Sequence, residues 1–202
     1  MRVFLTGTDT GIGKTLAAAW LLLHSGARYW KPVQAGLDGE TDEQTVRRLT
    51  GLGGDRFHPT VYSLNQPLSP HEAARRDGVA IAMDRFAVPD GPLVVEGAGG
   101  LMVPLNPESL VIDLIRQSGL PALLMARTAL GTINHTLLSL EALRSRRIPV
   151  AGVLLCGPNM PHNRAAIESY GKARVVGHLP PLEPVTREAL LAVEPECDLD
   201  SL

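Results

Sequence analysis

A doubly wound α/β fold, with an open, mostly parallel sheet and helices on both faces, is predicted by three features of this sequence. Short apolar runs such as Val3-Phe4-Leu5, Leu93-Val94-Val95 and Val150 to Leu155 show no polar alternation, so both faces of those strands are covered. Helical segments of about 10–15 residues separate them, as right-handed crossover units require. Small-residue turns follow the strand ends at Gly7, at Gly97 to Gly100 and at Gly131, where ligands collect in such sheets.

Val3-Phe4-Leu5 forms the first strand, and a glycine-bearing turn leads into a helix that opens at Lys14. From Thr15 to Ser25 the Leu, Ala and Trp residues follow a helical pattern that Gly26 ends. Arg28 to Val33 is the second strand, closing in Lys31-Pro32-Val33. A polar stretch, Leu37 to Thr41, precedes a helix from Asp42 to about Leu49. Gly51 to Pro70 is loop-rich, and Ser69-Pro70 marks a helix start, with Ser as N-cap and Pro in the first turn. Pro92 to Val95 is a buried strand, Ser109 to Ser118 a helix, Pro121 to Met125 a strand and Ile133 to Arg144 a helix. Val150 to Leu155 is a strand, Asn163 to Tyr170 a helix, and Arg174 to Gly177 a last short strand. No repeat, low-complexity tract or linker interrupts this order, so residues 1–202 are expected to form one domain.

A content of 45% hydrophobic and 20% charged residues is that of a globular chain. The formal net charge of −2 argues against a nucleic-acid binder that relies on neutralising phosphates. No stretch approaches the roughly 20 apolar residues that span a bilayer. Met1-Arg2-Val3 enters the first strand directly, which leaves no room for a signal peptide. Cys156 and Cys197 are isolated thiols, without a disulfide framework. A cytoplasmic location is the expectation.

Thr8-Asp9-Thr10-Gly11-Ile12-Gly13-Lys14-Thr15, between a strand and a helix, is a phosphate cradle. Backbone N–H groups and the helix dipole favour an anion there. Lys14 can reach outer phosphates and the Thr15 hydroxyl can take a place on Mg²⁺. Five residues separate Gly7 from Gly13, one more than the usual loop has. Glu96 ends a strand beside Gly97, Ala98, Gly99 and Gly100, where a metal-holding acid belongs on a P-loop sheet; a plain strand-end acid is the alternative. Lys31 ends a strand and is expected over the same edge as Lys14, or else as a lysine snorkelling to solvent. Asp42 is either a second Mg²⁺ ligand or a helix N-cap. His71 and His135 lack metal-spaced partners and are given structural roles. No Gly-x-Ser-x-Gly elbow is present, nor an Asn-Lys-x-Asp element that would read guanine.

Thr6 to Thr15, Lys31-Pro32-Val33, Ser69-Pro70-His71, Val95 to Gly100 and Gly131-Thr132-Ile133-Asn134-His135 together resemble the dethiobiotin synthetases, ATP-dependent carboxylases of biotin synthesis. The matches run in order across nearly the whole chain, and that family's phosphate loop has the same extra residue. The resemblance implies an ATP-dependent cyclo-ligase, a homodimer that converts 7,8-diaminononanoate, CO₂ and ATP into dethiobiotin, ADP and phosphate. It implies a carbamate and a carbamic-phosphoric anhydride on the way. Lys31 would hold the carbamate and the developing phosphoryl charge, with Lys14 and Thr10 beside it. Thr10, Gly11, Ile12, Gly13, Lys14, Thr15 and Leu16 would surround the phosphates, and Gly97, Ala98 and Gly99 would border the nucleotide. Thr15, Asp42 and Glu96 would organise Mg²⁺. Gly131 and Asn134 would help receive the diamine's carboxylate across the subunit interface.

Two positions depart from the pattern that the resemblance supplies. Ala35 stands where a Ser or Thr usually touches substrate, which removes a hydroxyl contact. Cys156, next to Gly157, stands where an Asn usually meets the adenine edge, and a thiol is a poor donor and acceptor. Pro180-Pro181-Leu182 resembles the loop that packs near the base. The main rival is a ParA- or MinD-like nucleotide switch, but those loops carry an additional lysine where this chain has Thr8-Asp9. A glutamine-dependent ligase of the cobyrinic-acid type would need a Cys–His glutaminase domain that the sequence does not supply.

Overall fold

The computed structural model describes residues 1–202. Seven strands form one parallel sheet: β1 (Arg2–Gly7), β2 (Arg28–Trp30), β4 (Phe57–His58), β6 (Leu93–Gly100), β7 (Ala122–Arg127), β8 (Val150–Cys156) and β9 (Val175–Leu179). Their spatial order is β4-β2-β6-β1-β7-β8-β9. Two further strands, β3 (Val33–Ala35) and β5 (Tyr62–Leu64), pair in parallel as a separate small sheet. The helices are α1 (Lys14–Leu23), α2 (Asp42–Thr50), α3 (Pro70–Arg76), α4 (Val111–Ser118), α5 (Thr132–Ser145), α6 (Pro161–Gly171) and α7 (Arg187–Leu191).

The alternation of each strand distributes its side chains between two cores. Val3, Leu5, Tyr29, Val94, Leu123 and Met125 pack with α1, α2 and α7 on one face. Phe4, Trp30, Leu93 and Val95 pack with α3 and α4 on the other, where Leu124, Ala126 and Val153 continue the layer against α5 and α6. This is the predicted doubly wound architecture, and the period of two explains it residue by residue.

Several boundaries differ from the sequence-based expectation. The second strand stops at Trp30, because Pro32 has no N–H to continue the ladder. Its carbonyl instead accepts the Val61 and Tyr62 amides at 3.0 and 3.1 Å, and Val33 to Ala35 leaves the main sheet. The region from Gly51 to Pro70, expected as loop, contributes β4 and β5. The helix expected from Ser109 begins at Val111, since Ser109 turns back so that its carbonyl accepts the Leu105 amide at 2.9 Å. The first helix stops at Leu23, and the Ser25 hydroxyl donates to the Leu21 carbonyl at 2.7 Å. The short helix α7, capped by Thr186, is additional.

Leu123 is fully buried in central strand β7. Leu123→Ala is expected to lower unfolding free energy by roughly 2–5 kcal/mol in urea titrations, the cost of a core cavity. A loss under about 1 kcal/mol would mean that the layer around β7 can collapse onto the gap.

Candidate active site

Strand β1 delivers the chain to the phosphate loop at Gly7, and the loop turns through left-handed conformations at Gly11 and Gly13. Those positive φ values, 66° and 90°, are open to glycine and costly for other residues. The Thr8 amide donates to the Met125 carbonyl at 3.0 Å, which ties the loop to β7. Ile12 is buried in the core, so only its backbone faces the loop interior. Helix α1 then opens at Lys14 without a side-chain cap and without an acid in its first turn. Its first amides are therefore left for an anion. Leu16 packs its side chain on the core and offers only its amide to that end.

The loop borders a cavity of about 760 Å³ at the carboxyl edge of the sheet. Lys31 lies in its wall, 4% exposed, with its ammonium 2.6 Å from Asp42 Oδ2 and 3.0 Å from Glu96 Oε1. A third donation goes to the Gly97 carbonyl at 3.2 Å. The Thr15 hydroxyl reaches Asp42 Oδ1 at 2.8 Å and Glu96 Oε1 at 3.1 Å, with one proton for both. The Tyr29 hydroxyl donates to Glu96 Oε2 at 2.9 Å. Both Glu96 oxygens are thus committed, and Glu96 is buried.

Strand register produces this convergence. Tyr29 lies opposite Val94 and Trp30 opposite Val95, so Lys31 follows on to Glu96. Tyr29 and Lys31 share a face by alternation. On the other side Leu5 pairs with Glu96, and the irregularity between Leu5 and Gly7 lets the glycine-rich end of β6 reach Gly7 at Gly100. Asp42 is the first residue of α2 and does not cap it. Thr41 caps, accepting the Gln44 amide at 3.3 Å, while Gln44 Oε1 accepts the Thr41 amide at 2.9 Å. Of the two readings of Asp42, the N-cap is therefore excluded.

The electrostatics follow from burial and pairing. Burial pushes the Lys31 ammonium down, but the Glu96 and Asp42 carboxylates outweigh it and raise its pKa above the usual 10.5. Burial pushes Asp42 up, but Lys31 and the Thr15 hydroxyl hold it below 3.8. The Lys31–Asp42 contribution is therefore present between those ordinary values. It fades as pH falls through the Asp42 value or rises through that of Lys31. Lys14 behaves oppositely. Burial, then the nearby Lys31 charge, lower its pKa from 10.5 to about 8. Its ammonium donates to the Asp9 carbonyl at 2.9 Å. Burial and Glu96 raise Tyr29 well above 10, so it remains an O–H donor.

Thr15, Asp42 and Glu96 present hard oxygen donors within one hydrogen-bonded cluster, the donor class that Mg²⁺ takes. No trio of His, Cys, Asp and Glu side chains is gathered anywhere in the chain. Two carboxylates suit Mg²⁺, which completes its shell with phosphate oxygens and water. Thr10, Gly11, Gly13, Ala98, Gly99 and Ala35 line the same cavity. Cys156, Gly157, Pro180, Pro181, Leu182, Gly131 and Asn134 do not. Cys156 Sγ would lie 3.2 Å from a Cβ at Gly13, so it backs the loop from outside the cavity. The Gly157 carbonyl is 2.7 Å from His178 Nε2, and Gly131 and Asn134 are exposed at the start of α5. His71 and His135 are exposed outside the cavity. Sequence reasoning missed Tyr29, which its place two residues before Lys31 could have indicated. It also missed Gln34, whose Oε1 accepts the Asp42 amide at 3.3 Å, and Ser69 as a lining residue. The Ser69 hydroxyl makes no capping bond and lines the cavity that Ala35 borders without a hydroxyl.

A family model described as an AAA domain matches residues 1–189. The chain is 50% identical over 195 residues to the ATP-dependent dethiobiotin synthetase BioD of Paramagnetospirillum magneticum, covering 96% of this chain and 94% of that one. It is 53% identical over 192 residues to the BioD of Agrobacterium fabrum, covering 94% and 91%. This chain belongs to the dethiobiotin synthetase family. Dethiobiotin synthetases are ATP-dependent enzymes by name, and the family also occurs as part of a larger protein. The bifunctional biotin biosynthesis protein BioCD of Bordetella avium matches at 51% identity over 93% of this chain but only 41% of its own length. A solved ParA family ATPase from Chlorobium tepidum superposes with a TM-score of 0.57 at 14% identity, over 95% of this chain and 90% of that one. That likeness concerns the fold alone.

Because Lys14 loses its proton near pH 8 in the free protein, and phosphate favours the charged form, nucleotide binding is expected to take up a proton between about 8 and 10.5. Calorimetric titration at about pH 9, in buffers of different ionisation enthalpy, should show that uptake, with much less at about pH 7. Equal proton linkage at both values would contradict the assignment.

Proposed function

We propose that this chain carries out the full synthetase reaction: ATP- and Mg²⁺-dependent carboxylation of 7,8-diaminononanoate with CO₂, then closure of the cyclic urea, giving dethiobiotin, ADP and phosphate. The observation that carries this reading is the buried Lys31 ammonium, held by Asp42 and Glu96 in the cavity that the phosphate loop borders. In this reading residues 1–202 act as one catalytic unit in the cytoplasm.

One amine of the substrate attacks CO₂, forms an N–C bond and releases a proton to solvent, leaving a carbamate. A carbamate oxygen attacks the γ-phosphorus while the bond to the bridging oxygen breaks and ADP leaves. The second amine attacks the carbamoyl carbon. Phosphate then leaves with the C–O electron pair, and the nitrogen gives its proton to solvent.

Two anions have to meet before the phosphoryl group moves, and fixed positive charge is what that encounter needs. Lys31 is suited to it because its proton is firmly held, which makes it a cation and donor and not a base. Lys14 would serve the β- and γ-phosphates, with Thr10 and the amides of Gly11, Ile12, Gly13 and Leu16 around them. Thr15, Asp42 and Glu96 would hold Mg²⁺, which when bound spreads the developing phosphoryl charge. Gly97, Ala98 and Gly99 would let the nucleotide approach the strand end closely. Gly157 and Pro180 to Leu182 would border the base, with Cys156 in place of an amide. Ala35 would leave substrate contact to its neighbours.

The active form in this reading is a homodimer, with Gly131 and Asn134 receiving the diamine carboxylate of the partner site. The exposure of Leu130, at 103%, and of Leu138, at 62%, beside those residues supports it.

Incubation with diaminononanoate, bicarbonate, Mg²⁺ and ATP is expected to give dethiobiotin by mass and equimolar phosphate. Phosphate release that ignores the diamine would favour a nucleotide switch. Lys31→Ala is expected to reduce turnover about a hundred- to a thousandfold, the scale of a lost transition-state charge contact, while nucleotide still binds in calorimetry. Loss of nucleotide binding alone would refute its proposed role. Leu138→Asp is expected to shift the sedimentation coefficient to that of a monomer and to depress turnover; an unchanged dimer would place the interface elsewhere.

A further inference from the structure

The phosphate loop carries an acid where its chemistry disfavours one. Asp9 lies in the turn between Gly7 and Gly13, half exposed, beside a site that gathers polyphosphate. An uncompensated carboxylate there repels the ligand. Arg127, the last residue of β7, reaches across with Nη2 2.6 Å from Asp9 Oδ2. Asp9 is the one carboxylate that Arg127 meets. The other oxygen, Oδ1, accepts the Thr10 amide at 2.7 Å, and the Asp9 carbonyl accepts the Lys14 ammonium at 2.9 Å. Together with the Thr8 amide on Met125, β7 therefore grips the loop twice, once by main chain and once by side chain.

We propose that Arg127 is a positioning residue for the nucleotide. It neutralises Asp9 and holds its carboxylate on the Thr10 amide, so that Lys14 and the amides from Gly11 onward meet phosphate without a competing negative charge. This rests on the reading that the loop binds a nucleoside triphosphate. An ion pair this exposed adds little to folding stability, so its value lies in the field that the ligand meets.

The test is calorimetric binding of a non-hydrolysable ATP analogue with Mg²⁺ to the full chain and to R127M, D9N and the D9N/R127M double variant. R127M is expected to weaken binding about three- to tenfold, the scale of one charge-assisted contact, with an unchanged melting temperature. D9N should bind more tightly than the wild type, because an amide oxygen still accepts the Thr10 amide while the Arg127 charge is no longer spent on a carboxylate. The double variant should return to within about twofold of the wild type, since the charge that needed neutralising is gone. In turnover, R127M should raise KM for ATP and leave kcat nearly unchanged, a split that loss of folded protein would not produce. Wild-type affinity in R127M, or a double variant as weak as R127M, would overturn the proposal while leaving the synthetase reading intact. A wild-type chain that binds no nucleotide would overturn both.

Discussion

The site depends on one buried ammonium. Lys31 Nζ is the common neighbour of Asp42, Glu96 and the Gly97 carbonyl, and without it a half-buried carboxylate and a fully buried one would be left without their shared cation. Removing the cation from such a cluster costs far more than any exposed ion pair contributes. The local chain path serves this contact. Had β2 continued past Pro32, Val33 and Ala35 would belong to the main sheet. Instead they line the cavity, and the break that the proline imposes opens the space beside Lys31. Two ammonium groups shifted in opposite directions then share one cavity: one held strongly by acids and a second, Lys14, weakened by burial and by the first. The second is the one with most to gain from an incoming phosphate.

Close backbone approach is the other constraint. A Cβ at Gly97 would lie 2.9 Å from Phe4 Cε1, and one at Gly100 would lie 3.2 Å from the Gly7 carbonyl. Strand β6 can therefore pass from a buried apolar stretch to the rim of the phosphate loop only with small residues after Glu96. The same run that places the acid also leaves room for the loop beside it. The irregular register between β1 and β6 is where the two requirements meet.

Most of the main sheet was legible because its strands are continuous apolar runs, and Lys14, Glu96 and Lys31 were legible because they follow such runs. The small β3–β5 sheet was not. Its strands are three residues long, and Gln34 and Ser63 at their centres read as loop. Helix α7 is five residues and takes its stability from Leu190 in the core, a tertiary effect that propensity does not reveal. Asp42 stayed ambiguous because a helix-initial acid has two ordinary uses. The Thr41-x-x-Gln44 spacing of a capping box could have resolved it. Tyr29 was hidden by its apolar neighbourhood, although the period of two sets it on the face of Lys31. The positions of Gly131 and Asn134 outside the cavity could not be foreseen from order along the chain, since they depend on how far β7 carries them from β6.

The same scaffold underlies a ParA family ATPase at 14% identity, so the sheet and its loop leave open what the nucleotide is used for. The cavity helps to separate the uses. A phosphate loop needs room for phosphates, whereas this cavity runs on past Lys31 to Val33, Pro67, Leu68, Pro70 and Val103. Those residues form an apolar wall, supplied by the small second sheet, the entry to α3 and the turn after β6. The aliphatic part of a second small molecule would find apolar cover there, beside Lys31. A group transfer between nucleotide and a second small molecule needs both halves in one enclosure. A switch that acts through partner exchange has no use for the second half.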